Sequence, residues 1–207
     1  MKRIAKILTA ALAAATVAGC ATVAADADYG KLALDLLKHD FRDKGQATVE
    51  RVTAQDQSQQ MCSDDPATLT PAASAQIQAA ELKNVKYPAG GSYLGKWQEG
   101  EKIAQDGRGM RWDDAAGSVN GGNCYACHQI SKKEISFGNI GPSLYQYGKL
   151  RGQSEEVVKY TWGKLYNAQA YQACSKMPRF GHKGILTEAQ LKDVMALLLD
   201  PASPVNQ

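Results

Sequence analysis

The sequence predicts an all-α protein, and three observations carry that expectation. Apolar residues recur at three- and four-residue spacings in several separate segments, which is the helical period. Helix-start signals stand before them: Thr70-Pro71, Ser154, and the capping box Thr187-Glu188-Ala189-Gln190. No stretch shows a convincing polar–apolar alternation of the kind a half-buried strand needs.

The first 27 residues read as an export signal. Lys2, Arg3 and Lys6 form a basic start, and residues 7–18 form an Ala-rich apolar run too short to span a bilayer. Two processing patterns compete. Val17-Ala18-Gly19-Cys20 resembles a lipoprotein box, in which Cys20 becomes a lipid-anchored N-terminus. Ala25-Asp26-Ala27 fits the small-residue rule for ordinary cleavage and leaves Asp28 first. The soluble product is favoured because the small residues continue past Cys20. Either route delivers the chain to the periplasm.

Residues 28–90 read as an N-terminal extension. It opens with a helix over 28–42 whose Leu34, Leu37 and Phe41 share a face. Residues 46–70 are polar and weakly patterned, so an irregular path is expected there. Thr70 caps a second helix with Pro71 at its first position, running to about residue 84. Pro88, Gly90 and Gly91 then mark a boundary, and residues 91–207 form the main domain. Its helices are expected over 93–106 (Trp97, Gly100, Ile103, Ala104), over 154–169 (Val158, Trp162, Leu165), and from 187 until Pro201 (Leu191, Val194, Leu198).

Charge excludes one class of partner. The full chain carries 24 basic and 21 acidic side chains, a net of +3. That falls to about +1 once residues 1–27 are removed. No block of like charge is present, so nucleic acid is not an expected partner.

One motif decides the chemistry. Cys124-Tyr125-Ala126-Cys127-His128 is the C-x-x-C-H attachment signature of c-type haem, in which two thiols add to the haem vinyl groups and the adjacent imidazole ligates iron. Residues three apart on a helical turn share a face, so both sulfurs reach one macrocycle edge. A zinc site needs a second ligand pair of similar spacing, and Cys20, Cys62 and Cys174 are scattered singly. A thioredoxin-like pair needs a preceding strand, and the Gly/Asn-rich residues 117–123 stand there instead. With two thiols on haem and Cys20 in the leader, Cys62 and Cys174 remain. In an oxidising compartment they are expected to pair, the alternative being two separate buried thiols.

Three stretches carry a family resemblance: the C-x-x-C-H motif with Gly122-Asn123 before it, Asn139-Ile140-Gly141-Pro142-Ser143-Leu144, and Lys176-Met177-Pro178-Arg179-Phe180-Gly181. The domain resembles class I cytochromes c, which implies a class I cytochrome c-like fold for residues 91–207. The run Gly100-Glu101-Lys102-Ile103 resembles the N-terminal helix that packs on the C-terminal one, although residues 107–123 make a longer connection than usual. The Gly-Pro-x-Leu segment implies that the Pro142 carbonyl accepts from the imidazole N–H of His128. For the sixth ligand, Met61, Met110, Met177, Met195, His39 and His182 are available. The resemblance favours Met177, on the loop between the middle and final helices; His182 is its main rival, and Met195 reads as core packing.

More particularly, the three stretches resemble SoxX, the monohaem cytochrome subunit of the SoxAX complex of sulfur-oxidising bacteria. This implies one covalent haem c on Cys124 and Cys127, with His128 and Met177 as axial ligands. It implies an electron-accepting subunit of an L-cysteine S-thiosulfotransferase, with the substrate chemistry on a SoxA-like cytochrome partner. The other implied partners are a SoxYZ-like carrier protein and a small soluble cytochrome c that takes the electrons. Two other functions compete: a free-standing periplasmic electron shuttle, and a haem sensor or peroxidase, which would need an open or displaceable distal site.

Overall fold

The structure is a computed structural model and describes residues 28–63 and 69–207. The leader, including Cys20, lies outside the described residues. Among those described, the chain is helical; its only β pairing is an isolated bridge between Lys44 and Ala47. Contacts divide the chain into two units at Phe41/Arg42.

The first unit contains α1, Tyr29–Asp40. Asp28 caps it by accepting from the Lys31 backbone N–H at 2.9 Å, and Lys31 pairs with Asp35 one turn on. No residue of α1 is fully buried. Leu34 and Leu37 of the expected stripe are half-buried, while Phe41 is exposed.

The second unit is organised around α5 (Trp97–Gln105) and α8 (Glu188–Leu199), which pack against each other. At the crossing, a β-carbon on Gly100 would run into the backbone carbonyl of Asp193, so glycine is what lets the two backbones meet. Just upstream, Gly95 N–H donates to Lys192 O at 2.9 Å, and Lys96 N–H to Asp193 Oδ1 at 2.8 Å. The Thr187/Gln190 capping box opens α8 with both reciprocal bonds present. From Val194 to Leu199 every residue of α8 is buried, a wider apolar surface than the single stripe expected. The added cover comes from the C-terminal tail, where Ser203 Oγ donates to Leu197 O and Asn206 Nδ2 to Leu198 O. Met195 is fully buried in this core.

Helix α7 (Glu155–Tyr166) starts at the Ser154 cap and stops three residues short of the expected end, a 3₁₀ turn over Ala168–Ala170 replacing its last part. Its Trp162 is buried, with Tyr93 edge-on, and the indole N–H donates to Lys86 O at 2.8 Å. A short helix, α6 (Tyr147–Arg151), was not expected, because five residues are too few to show a period.

Residues 42–90 pack within the same compact unit as the main domain. The stretch expected to be irregular holds two short helices, α2 (Glu50–Thr53) and α3 (Gln57–Ser63). Polar bonding, not apolar periodicity, shapes them. Asp56 accepts from the Gln59 N–H at 2.9 Å while Gln59 Oε1 accepts from the Asp56 N–H at 3.1 Å. Helix α4 (Pro71–Lys83) follows, capped by Thr70, with Ile77 and Glu81 buried. Glu81 accepts from Ser58 Oγ, from Asn167 Nδ2 at 2.6 Å, and from Arg179 Nη1 at 3.2 Å. Cys62 of α3 is bonded to Cys174.

Two stability predictions follow from these contacts. Gly100→Ala should lower unfolding free energy by about 1–3 kcal/mol in urea denaturation, because the backbone clash outweighs the better helix propensity; unchanged stability would refute the tight crossing. Asp56 titrates at about 2, down from 3.8. Burial by itself would raise it, but hydrogen bonds from Lys183, the Gln59 backbone and Arg179, with the charge of Arg179, outweigh burial. A folded value below the unfolded one means that this stabilisation is complete above about pH 4 and fades as pH falls toward about 2. Asp56→Asn should therefore flatten that part of the stability–pH curve, and coincident curves for variant and wild type would contradict it.

Candidate functional site

The connection between α5 and the Cys124 motif is long, but its two ends are pinned together. Asn123 N–H donates to Asp106 O at 2.9 Å, Gly122 N–H to Ile103 O at 2.8 Å, and Gly121 N–H to Arg108 O at 2.8 Å. The extra residues therefore loop out without moving α5 away from the motif. The segment around α2 braces the loop: Arg51 Nη1 donates to Met110 O at 2.6 Å and Gln46 Nε2 to Ala115 O at 3.1 Å.

Asn123 takes a left-handed backbone conformation (φ 48°), which asparagine tolerates better than most residues. The chain then turns into a 3₁₀ helix over Cys124–Ala126, closed by Cys127 N–H on Cys124 O at 3.1 Å and His128 N–H on the same oxygen at 2.9 Å. In that geometry side chains three apart eclipse, so Cys124 and Cys127 face the same way. Neither is part of a disulfide.

Residues 138–144 wrap the motif through backbone bonds. Gly138 N–H donates to Tyr125 O, Gly141 N–H to Cys127 O, and Leu144 N–H to Gln129 O, at 2.7–2.9 Å. This sets the Pro142 carbonyl 2.7 Å from His128 Nδ1. A carbonyl oxygen only accepts, so Nδ1 carries the proton and Nε2 presents its lone pair. Gly141 lies directly against the imidazole, and a β-carbon there would strike the ring.

Beside the motif is a cavity of about 620 Å³, within the usual ~300–1,000 Å³ of cofactor sites. Cys124, Cys127, His128 and Met177 all line it. Among the described residues, His128 is the one histidine and Met177 the one methionine on its wall. Met61, Met110, Met195, His39 and His182 do not line it. His182 sits in the turn after Arg179, where burial, aided by the Arg179 charge, lowers its pKa. Helices α5, α7 and α8 supply the apolar wall through Ala104, Leu165, Val194 and Leu197. The unexpected α6 adds Tyr147, Leu150 and Arg151.

The charge of the wall is one-sided. Arg151, Lys164 and Lys176 line the cavity, and among the described residues no Asp or Glu does. Burial lowers the pKa of Lys164, a penalty that an anionic group beside it would offset. The donor set therefore fits an iron porphyrin: two thiols on one edge, an imidazole nitrogen, a thioether, and cations for the propionates. Two other readings of the thiols fit less well. Burial pushes the Cys124 thiol up to about 12, opposite to the lowered value of a reactive redox pair. Among the described residues no cluster of three His, Cys, Asp or Glu could hold a metal ion by itself.

Sequence reasoning passed over Arg179. It lies two residues past Met177 and is buried between Asp56 and Glu81. Its signal was a charged residue inside the Met177 stretch, but partners so distant in sequence carry no spacing rule. The role of Gly141 was also unread, though its place beside Pro142 was visible.

The cytochrome c family matches residues 97–200, half of the chain. An uncharacterised lipoprotein of Aquifex aeolicus (strain VF5) is 38% identical over 160 residues, which is 75% of each chain. That alignment is longer than residues 97–207 and so reaches into the N-terminal segment. The chain belongs to the cytochrome c family, carries covalently bound haem c, and transfers electrons.

Proposed function

We propose that this chain is a SoxX-like electron-transfer subunit of an exported SoxAX-type L-cysteine S-thiosulfotransferase. The observation that carries the reading is that the three stretches resembling SoxX all contribute to the wall of one cavity. Cys124 and Cys127 would hold the haem through thioether bonds, and His128 and Met177 would be the two residues that ligate its iron. Bound haem c supplies a one-electron ferric/ferrous couple.

The protein's residues set the conditions for that couple. The bond from His128 Nδ1 to Pro142 O fixes the ring and makes Nε2 a better donor. The soft Met177 thioether favours the ferrous state relative to a second imidazole. The apolar wall excludes water, and with His128 and Met177 both given to the iron, substrate would have no place to bind it. Chemistry on thiosulfate therefore belongs to a SoxA-like partner. There, the sulfane sulfur of thiosulfate forms an S–S bond with a cysteine of a SoxYZ-like carrier; the S–H bond of that cysteine breaks, its proton goes to solvent, and two electrons are released. This chain accepts them one at a time and passes each to a small soluble cytochrome c. The name of the Aquifex relative supports the lipoprotein-box route, with acylation at Cys20, over cleavage after Ala27; the intact mass of the mature protein distinguishes the two.

Co-expression with a SoxA-like subunit and haem-maturation machinery should give a stable hetero-complex through size-exclusion chromatography. If the chain elutes alone, the free-standing shuttle is the better reading. Gly141→Ala should displace the His128 ring and raise the reduction potential by about 60 mV, a tenfold change for a one-electron couple. An unaltered potential in redox titration would contradict the role given to Pro142.

A further inference from the structure

Helix α3 makes two bonds to the loop that carries Met177, one on each side of that residue. On the N-terminal side, Cys62 in the last turn of α3 is joined to Cys174, three residues before Met177. On the C-terminal side, Asp56 at the cap of α3 accepts from Arg179 Nη2 at 2.5 Å, two residues after Met177. Asp56 and Cys62 are about 9 Å apart along the helix, at 1.5 Å per residue. The short helix thus spans the loop between its two attachment points.

The Met177 side chain packs against the hydrophobic core, but the backbone around it has few ties of its own. Among the described residues, the backbone of residues 176–178 makes one hydrogen bond, from Met177 N–H to Ser175 Oγ at 3.3 Å, and that bond is local. Beyond Arg179 the chain is secured again, with Gly181 N–H and His182 N–H both on Tyr166 O. The Arg179 anchor is itself buried. Its side chain is 6% exposed, and its second nitrogen meets Glu81, which is 5% exposed. Lys183 also reaches Asp56, at 2.7 Å. Asp56 and Cys62 lie outside the residues matched by the cytochrome c family.

We propose that α3 is a splint for the sixth ligand: Arg179, Asp56 and the Cys62–Cys174 bond are positioning residues that hold Met177 toward the iron and slow its release. This rests on Met177 being the axial ligand. The splint works mechanically. Opening of the loop must stretch either a covalent bond or a buried ion pair, so the state with methionine withdrawn is rare.

The test uses the full-length, haem-loaded ferric protein and added imidazole. Imidazole takes the sixth position only after methionine leaves, and loss of the methionine-to-iron charge-transfer band reports that exchange. Asp56→Asn keeps a capping side chain for α3 but removes one of the two carboxylate charges facing Arg179, the one that α3 supplies. Cys62→Ser/Cys174→Ser removes the covalent tie. Each should speed exchange by about tenfold or more, with helix content by circular dichroism unchanged; Lys44→Ala, which loses only a contact with Trp112, should exchange at the wild-type rate. Arg179→Lys, a charge without the two-pronged geometry, should fall between Asp56→Asn and wild type.

If the band is present and depends on Met177 but both splint variants exchange at the wild-type rate, the splint is refuted and the ligand assignment stands. If wild type lacks the band, or Met177→Gly retains it, the ligand assignment fails and the splint falls with it.

Discussion

Where α5 crosses α8, Gly100 lies against the backbone of Asp193 and the space for a β-carbon is already taken. Much of the cavity is placed from that contact. Ala104 stands one turn further along α5, and Val194, Leu197 and Leu198 face the same cavity from α8. Because α5 runs straight into the pinned ends of the 107–123 loop, the crossing also fixes where Cys124 starts. Wedging the two helices apart would move the apolar wall and the thiols together.

On that frame, two loops deliver donors by different means. The His128 side is set by backbone alone: bonds from residues 138–144 to the motif aim the Pro142 carbonyl at Nδ1, and the absent side chain of Gly141 makes room for the ring. The Met177 side has few backbone bonds of its own and depends on attachments to α3 and α4. A rigid imidazole is consistent with its attachment next to Cys127. A thioether on a spanning loop needs external restraint, and residues 42–90 provide it. This gives the N-terminal segment a physical purpose within the unit, whatever partner the face of the cavity meets.

What could be read from the sequence followed the range of each signal. The Thr187/Gln190 capping box, Thr70-Pro71 and the C-x-x-C-H turn act within four residues, and they stand in the structure where local rules put them. Cys62 and Cys174, paired by elimination among five cysteines, are bonded. Family resemblance separates Met177 from Met61, Met110 and Met195, and its place on the cavity wall is consistent with that choice. The illegible parts were polar and long-range. Helix α3 has no apolar period because a capping box, a buried serine and a disulfide hold it. Arg179 finds Asp56 and Glu81 across about a hundred residues, and no spacing announces such an ion pair. The full burial of the α8 end depends on a C-terminal tail that folds back over it.

The proposed electron-transfer function rests on His128 and Met177 being the two residues that would ligate the iron of one haem. A proton NMR spectrum of the reduced, haem-loaded protein tests it directly, because a methyl group held over the macrocycle is shifted far upfield by the ring current. With Met177 in place, one such methyl should appear and be assigned to that residue. A spectrum with no upfield methyl, or with the methyl assigned to another methionine, would contradict the coordination on which the electron-transfer reading stands.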